Sequence, residues 1–220
     1  MKEIDKEKNM EKFKDIKNII FDFDGVICQS QEYHLNKMNE VFDLGFTMEE
    51  YAGAHHGNAN EVMLVQEKWK KVDWNKYHEE IEKDFPLKKI KPEVKKTLEE
   101  LAQKYNLFII SSGHNQHIID FLENNEVWTL FKKALFFEDA KLKVDKFKML
   151  EAEFGLRPED TVFVTDTIGD VREAREVGYK NLIGITTGHH DEEILKTDDN
   201  EENGEVKVIH SFDKIKDLLD

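Results

Sequence analysis

Short, unbroken apolar runs punctuate the chain. They are NIIFDF at 18–23, LFII at 107–110, ALFF at 134–137, TVFVT at 161–165, LIGIT at 182–186 and VKVI at 206–209. A strand with one wet face alternates apolar and polar side chains, whereas a continuous apolar run suits a strand covered on both faces, as in a parallel sheet. From residue 90 onward the runs alternate with helix-period segments. PEVKKTLEELAQKY places Pro92 at a first helical position and Val94, Leu98 and Leu101 on one face; HIIDFLENN, DKFKMLEAEFG and GDVREAREVG are similar. Repeated strand–helix units predict an α/β fold, a doubly wound parallel sheet.

One interval breaks the rhythm. Between Ser30 and about residue 88 no strand pattern occurs. SQEYHLNKMNEVFDLG, NEVMLVQEKWKKV and WNKYHEEIEKDF read instead as amphipathic helices, with Trp69, Trp74, Tyr77 and Phe85 as their core. The expected layout is an α/β core from 16–30 and 89–220, with a small all-helical cap, 31–88, inserted after the first strand. Residues 1–15, MKEIDKEKNMEKFKD, are mostly charged and are expected to form a disordered lead-in, while TDDNEENGE at 197–205 reads as a surface loop.

Composition then narrows the partners. With 39% apolar residues in 220, the chain can bury a sizeable core. Its 47 acids against 32 bases give a formal net charge of −15, which argues against a nucleic-acid backbone or an anionic membrane as partner. Any phosphate must be held by a local arrangement or a metal. No apolar run resembles a signal-peptide core or a membrane span, and the single cysteine, Cys28, has no internal disulfide partner, so a cytoplasmic location is expected.

All strands of a parallel sheet end on one edge, where α/β folds bind ligands. At that edge the first run finishes in Asp22 and Asp24, LFII in Ser111, Ser112 and Gly113, and TVFVT in Asp166, followed by Asp170; Lys141, Lys143 and Lys146 open the helix before TVFVT. Strand alternation would part Asp22 from Asp24, but Gly25 permits a turn sharp enough to bring both to one place. Four gathered carboxylates need a cation, because two unit charges about 4 Å apart repel by roughly 4 kcal/mol at an effective dielectric near 20. Hard oxygen donors suit Mg2+. A serine and a lysine beside them suit the oxygens of a transferring phosphoryl group.

In order, DFDGVI at 22–27, FIISSG at 108–113, the lysine before FKMLEAEFGLRPED, VFVTDTIGD at 162–170 and LIGITTG at 182–188 resemble the haloacid dehalogenase (HAD) superfamily, specifically its Mg2+-dependent phosphatase branch. The resemblance spans nearly all of residues 18–215. It implies that Asp22 is the nucleophile that forms an aspartyl-phosphate and Asp24 the general acid and base. It makes Ser111, with Ser112 beside it, the phosphate-binding serine, and assigns the metal to Asp22, the Asp24 backbone carbonyl, Asp166 and Asp170. The family commonly shows Lys-Pro ahead of its helix, where this chain has KLKVDKF. Lys141, Lys143 and Lys146 therefore all remain in play, with Lys143 preferred.

YAGAHHGN at 51–58 is a glycine-bracketed turn where caps of this family often carry a specificity loop, so His55, His56 and Asn58 are candidates for touching the leaving group. The paired histidines do not read as a zinc site, because no cysteine or carboxylate stands at a supporting spacing. The implied function is Mg2+-dependent hydrolysis of a small phosphorylated metabolite, a phosphate monoester. A phosphosugar mutase, a phosphonate hydrolase using a cap lysine, and a non-catalytic phospho-acceptor or binding scaffold are the alternatives; a dehalogenase is disfavoured because the resemblance implies that those enzymes lack the second aspartate.

Overall fold

The structure, a computed structural model, describes residues 11–57 and 66–219. Six parallel strands form one sheet: β1 (Asn18–Phe21), β2 (Asn106–Ile110), β3 (Phe131–Leu135), β4 (Thr161–Thr165), β5 (Leu182–Ile185) and β6 (Lys207–Ile209), in the order β3-β2-β1-β4-β5-β6. The order reverses between β1 and β4, and in such sheets the crevice beyond the carboxyl ends at that reversal is the natural ligand site. Phe21 is in register with Ile109 of β2 and Val164 of β4, so the residues following the three strands meet at one level. The apolar run at 134–137 marks only the buried end of β3. This edge strand begins three residues earlier, in the polar FKK, which burial patterning alone does not disclose.

Alternation along β1 feeds two cores. Ile19 and Phe21 point into one, with α4 (Pro92–Leu101), α5 (Asn115–Asn124) and the 3-10 helix Phe212–Leu218; Ile20 points into the other, with α6 (Lys143–Phe154) and α7 (Ile168–Glu176). All three β1 side chains are fully buried, each contributing about 1.5–3 kcal/mol relative to exposure.

Between β1 and α4 the described elements are all helical: α1 (Gln31–Phe42), α2 (Met48–Gly53), α3 (Trp74–Ile81), and single 3-10 turns at Ala54–His56, Trp69–Lys71 and Phe85–Leu87. A capping box, Thr47 with Glu50, starts α2. Of the helix expected over 60–72, residues 60–65 lie outside the described residues, and the rest forms only the Trp69–Lys71 turn. Trp69, Tyr77 and Phe85 are buried, and Trp74 is half-buried. Phe85 ties this layer to α5 and to the turn after β1, with its ring 6.2 Å from Phe23, 5.8 Å from Phe121 and 5.1 Å from His117.

The expected disordered lead-in does not reach Phe13. That side chain is buried, and its N–H donates to the Leu218 carbonyl at 2.8 Å, pairing the start of the described chain with its end. Residues 1–10 lie outside the described residues. A short α8 (Glu192–Leu195) precedes the polar 197–205 loop. No helix among the described residues is long and apolar enough to cross a membrane.

Candidate functional site

Beyond β1 the chain folds back on itself. The Phe23 carbonyl accepts from Ile27 and Cys28 N–H at 2.9 and 3.1 Å, and Gly25 turns at φ +78°. A Cβ on Gly25 would lie 2.0 Å from Asp166 Oδ2, so the glycine serves both the turn and the close approach of β4's end. The turn brings Asp22 and Asp24 to one cavity of about 60 Å3, whose lining also includes Ser111, Lys143, Asp166 and Asp170.

Of the three lysines, Lys143 is the one that reaches the acids. Its Nζ lies 2.9 Å from Asp22 Oδ2 and 2.5 Å from Asp170 Oδ2. The local reason is the start of α6: the N–H groups of Lys143 and Val144 both donate to Glu173 Oε2 of α7, at 2.5 and 3.2 Å, so a carboxylate from the next helix caps this one and aims its first residue inward. Lys141 is exposed. Lys146, one turn on, donates from Nζ to the Ser111 carbonyl and thereby braces the serine loop from behind. Ser111 is buried and its Oγ accepts from Gly113 N–H at 3.0 Å, while Ser112 is half-buried; both line the cavity.

Burial, opposed mainly by the Lys143 charge, pushes the Asp22 carboxyl well above its usual range. Asp170 feels the same burial, yet Lys143 and its hydrogen bonds, including one from Thr165 Oγ1 at 2.7 Å, hold it below the usual range. A proton entering this pair therefore goes to Asp22. Burial would lower Lys143, but Asp170 and Asp22 outweigh it and raise the ammonium's pKa. Burial and the neighbouring Lys143 charge bring Lys146 down to about 8.

Asp24 is held differently. Burial works to raise it, but Oδ1 receives hydrogen bonds from Ser30 Oγ and His34 Nε2, the latter at 3.2 Å, and these keep it ionised far into acid. His34 Nδ1 in turn lies 2.7 Å from Tyr77 Oη on α3. Sequence reading missed this chain. Its signal was present: Ser30 and His34 are four apart at the start of α1, on one face, directly after the aspartate turn.

Asp166 sits in a tight cradle. His189 contributes both its N–H and Nδ1, each 2.7 Å from Asp166 Oδ2, and Gln31 Nε2 is 3.5 Å away. A Cβ on Gly188 would lie 1.9 Å from the same oxygen. Asp166 Oδ1 is buried and has no hydrogen-bond partner among the described residues. Hard carboxylate oxygens with one of them unsatisfied match the donor chemistry of Mg2+. Among the described residues no three His, Cys, Asp or Glu side chains already stand in a ligating array, and Lys143 instead joins Asp22 to Asp170.

The turn at 54–56 brings His55 to the cavity, whereas His56 is exposed and its carbonyl accepts from Arg172 Nη1 at 2.6 Å. Asn58 lies outside the described residues. Gly169 at the start of α7 lets the turn approach, since a Cβ there would be 2.3 Å from the Gly57 carbonyl oxygen. His190 locks the same seam: its Nδ1 accepts from Ile168 N–H at 3.0 Å, leaving Nε2–H to donate to the Ala52 carbonyl at 3.3 Å.

Three solved structures share this architecture at low identity. A haloacid dehalogenase-like family hydrolase from Streptococcus pneumoniae is 21% identical, with TM-score 0.73, covering 93% of this chain and 97% of that one. A predicted phosphoglycolate phosphatase from Haemophilus somnus is 22% identical, with TM-score 0.70 and coverage of 93% and 98%. A candidate beta-phosphoglucomutase from Thermotoga maritima is 17% identical, with TM-score 0.64 and coverage of 92% and 98%. Among curated proteins none matches the chain in sequence. Residues 19–183 match the family described as haloacid dehalogenase-like hydrolase, a span running from β1 through the aspartate turn, Ser111, Lys143 and Asp166 to β5, and the chain belongs to that family.

Proposed function

We propose that the protein is a Mg2+-dependent phosphatase that hydrolyses a small phosphate monoester through an aspartyl-phosphate on Asp22, with the 31–88 layer as a cap over the site. The observation that carries the reading is the Lys143 bridge at one cavity with Asp24 and Ser111: a buried ammonium 2.9 Å from Asp22 stands where it also meets phosphoryl oxygens. Enzymes of the family generally use Mg2+, and here Asp22, the Asp24 carbonyl, Asp166 and Asp170 would hold it, the orphaned Asp166 Oδ1 being the readiest donor. When bound, the ion offsets the charge of the phosphate and of the acids around it.

In the first step an Asp22 oxygen bonds to phosphorus as the bond to the leaving oxygen breaks. That oxygen takes a proton through Asp24, and water deprotonated by Asp24 then releases inorganic phosphate and restores Asp22. As held by Ser30 and His34, Asp24 is ionised and suited to the water step. With Tyr77 Oη donating to His34 Nδ1, His34 Nε2–H faces Asp24 and orients its carboxylate; the proton needed for the first step enters Asp24 from solvent and is returned in the water step. Lys143 and Ser111 hold the phosphoryl oxygens, where positioning and charge provide most of the rate.

The test is phosphate release from an aryl phosphate and a panel of small esters, with Mg2+ and with chelator, on wild type and Asp22→Asn. Metal-dependent release lost in the variant supports the reading. An isomerised sugar phosphate in place of free phosphate would identify a mutase, and no product of either kind from a folded protein would remove both.

A further inference from the structure

Two buried lysines leave one face of α6, three residues apart, and of the two only Lys143 lines the cavity. Lys143 is 2% exposed and meets Asp22 and Asp170; Lys146 is 0% exposed and donates from Nζ to the Ser111 carbonyl. Sealing an amine beside a second ammonium carries a desolvation and repulsion cost that an apolar side chain in its place would avoid. Charged or neutral, the amine keeps N–H groups to donate, so the contact does not depend on its titration.

That contact fixes the peptide between Ser111 and Ser112. The peptide is trans, so its carbonyl and its N–H point to opposite sides, and the Ser112 N–H is directed away from Lys146. Both serines line the cavity, and Lys146 lies outside that lining. Two further bonds hold the same turn: Ser111 N–H donates to the Leu135 carbonyl at the end of β3, at 2.9 Å, and Ser111 Oγ accepts from Gly113 N–H at 3.0 Å. With Oγ accepting there, its hydroxyl proton is left to donate. The turn thus offers two donors, the Ser111 hydroxyl and the Ser112 N–H, and Lys146 sets their direction from behind.

We infer that Lys146 is a positioning residue for phosphoryl binding: by holding the Ser111 carbonyl it aims the Ser111 hydroxyl and the Ser112 N–H at phosphoryl oxygens, from the same helix face that presents Lys143. The inference rests on the phosphatase reading and adds to it a residue that touches no substrate. The nonbridging oxygens carry charge before and during transfer. Donors aimed at them therefore bind substrate and transition state alike, and their misplacement is read in KM rather than in kcat.

Lys146→Met, which fills nearly the same space without a donor, tests this on the full chain with Mg2+. Its KM for p-nitrophenyl phosphate and its calorimetric Kd for inorganic phosphate are each expected to rise by about tenfold or more, the scale of a hydrogen bond to a charged group, with kcat changed by less than about threefold. Lys146→Gln has the reach of Met with an N–H restored; its rise should be smaller, and it gives the same comparison with wild type if the Met variant does not fold. Leu150→Ala, buried on the same helix among apolar neighbours, is the packing control: it lowers the folded fraction and hence kcat, and leaves KM and Kd. Wild-type KM and Kd in the Lys146 variants, or an equal rise in Leu150→Ala, overturn this inference alone. A chain that binds inorganic phosphate but releases none from the ester defeats the phosphatase reading and still tests Lys146 through Kd; one that neither releases nor binds it defeats both.

Discussion

Replacing Lys143 with Met removes the one buried cation shared by Asp22 and Asp170. Side-chain exposure is 2% for the lysine and 9% and 12% for the two acids, so solvent offers little compensation. Breaking a buried pair by deleting one partner costs about 3–5 kcal/mol. Two features favour the lower end: Asp170 keeps the Thr165 hydroxyl, and Asp22 keeps the Phe23 N–H and can take up a proton. We expect about 3 kcal/mol in chelator at pH 7, or a Tm lowered by about 6–12 °C for a chain of this size. The sign of the pH dependence follows from Asp22. A carboxyl whose folded pKa lies above its unfolded value binds more protons when folded, so its folded state loses ground as pH rises from the unfolded value. The Lys143→Met penalty should therefore be smaller at pH 5 than at pH 8, and adding Asp22→Asn should recover most of it. Urea unfolding followed by circular dichroism, on both single variants and the double, measures all three quantities. A Lys143→Met cost below about 1 kcal/mol, or a double variant no more stable than Lys143→Met alone, would refute the bridge as the organising contact.

Asp22→Asn by itself should abolish phosphate release and, because the buried carboxyl is held protonation-prone, leave the protein as stable as wild type or more so at pH 7; residual turnover would count against covalent catalysis, and a collapse in stability against the burial argument. His117, buried on α5, is brought by burial to about 3 from 6.5, so it binds no proton over a range where the unfolded chain does. Stability should fall with pH below 6.5, by about 2 kcal/mol at pH 5 from this residue, and His117→Leu should lessen the difference in urea midpoint between pH 7 and pH 5; an unchanged difference rejects the assignment. Gly188→Ala would place a Cβ 1.9 Å from Asp166 Oδ2 and must displace one of them, costing about 1–3 kcal/mol and any Mg2+-induced rise in Tm; a variant melting like wild type with and without Mg2+ would show that the cradle yields freely.

Parts of this site were legible in the chain because they follow from local pattern. Continuous apolar runs announce strands buried on both faces, parallel strands end together, and so Asp22, Asp24, Ser111 and Asp166 had to approach one edge once the strands were recognised. The glycine after Asp24 announced the turn. Other parts had no local signature. Lys141, Lys143 and Lys146 are chemically alike, and the one that reaches Asp22 is selected by Glu173, thirty residues away, which caps α6 and sets its first turn. His189 has no local signature of its partner, because the loop after β5 brings it to Asp166 only in the folded chain. Phe13, in a charged segment, is buried only because the other end of the chain arrives beside it.

What the sequence determined by itself is what periodicity and strand ends dictate: a doubly wound sheet with acids, serine and lysine brought to one edge. The tertiary structure decided which ammonium bridges which carboxylates, and which histidine touches Asp24 and which Asp166. Those pairings join residues far apart in the chain within a few ångströms. Their energies arise from shared burial and contact geometry, quantities that a residue acquires only from its neighbours in space.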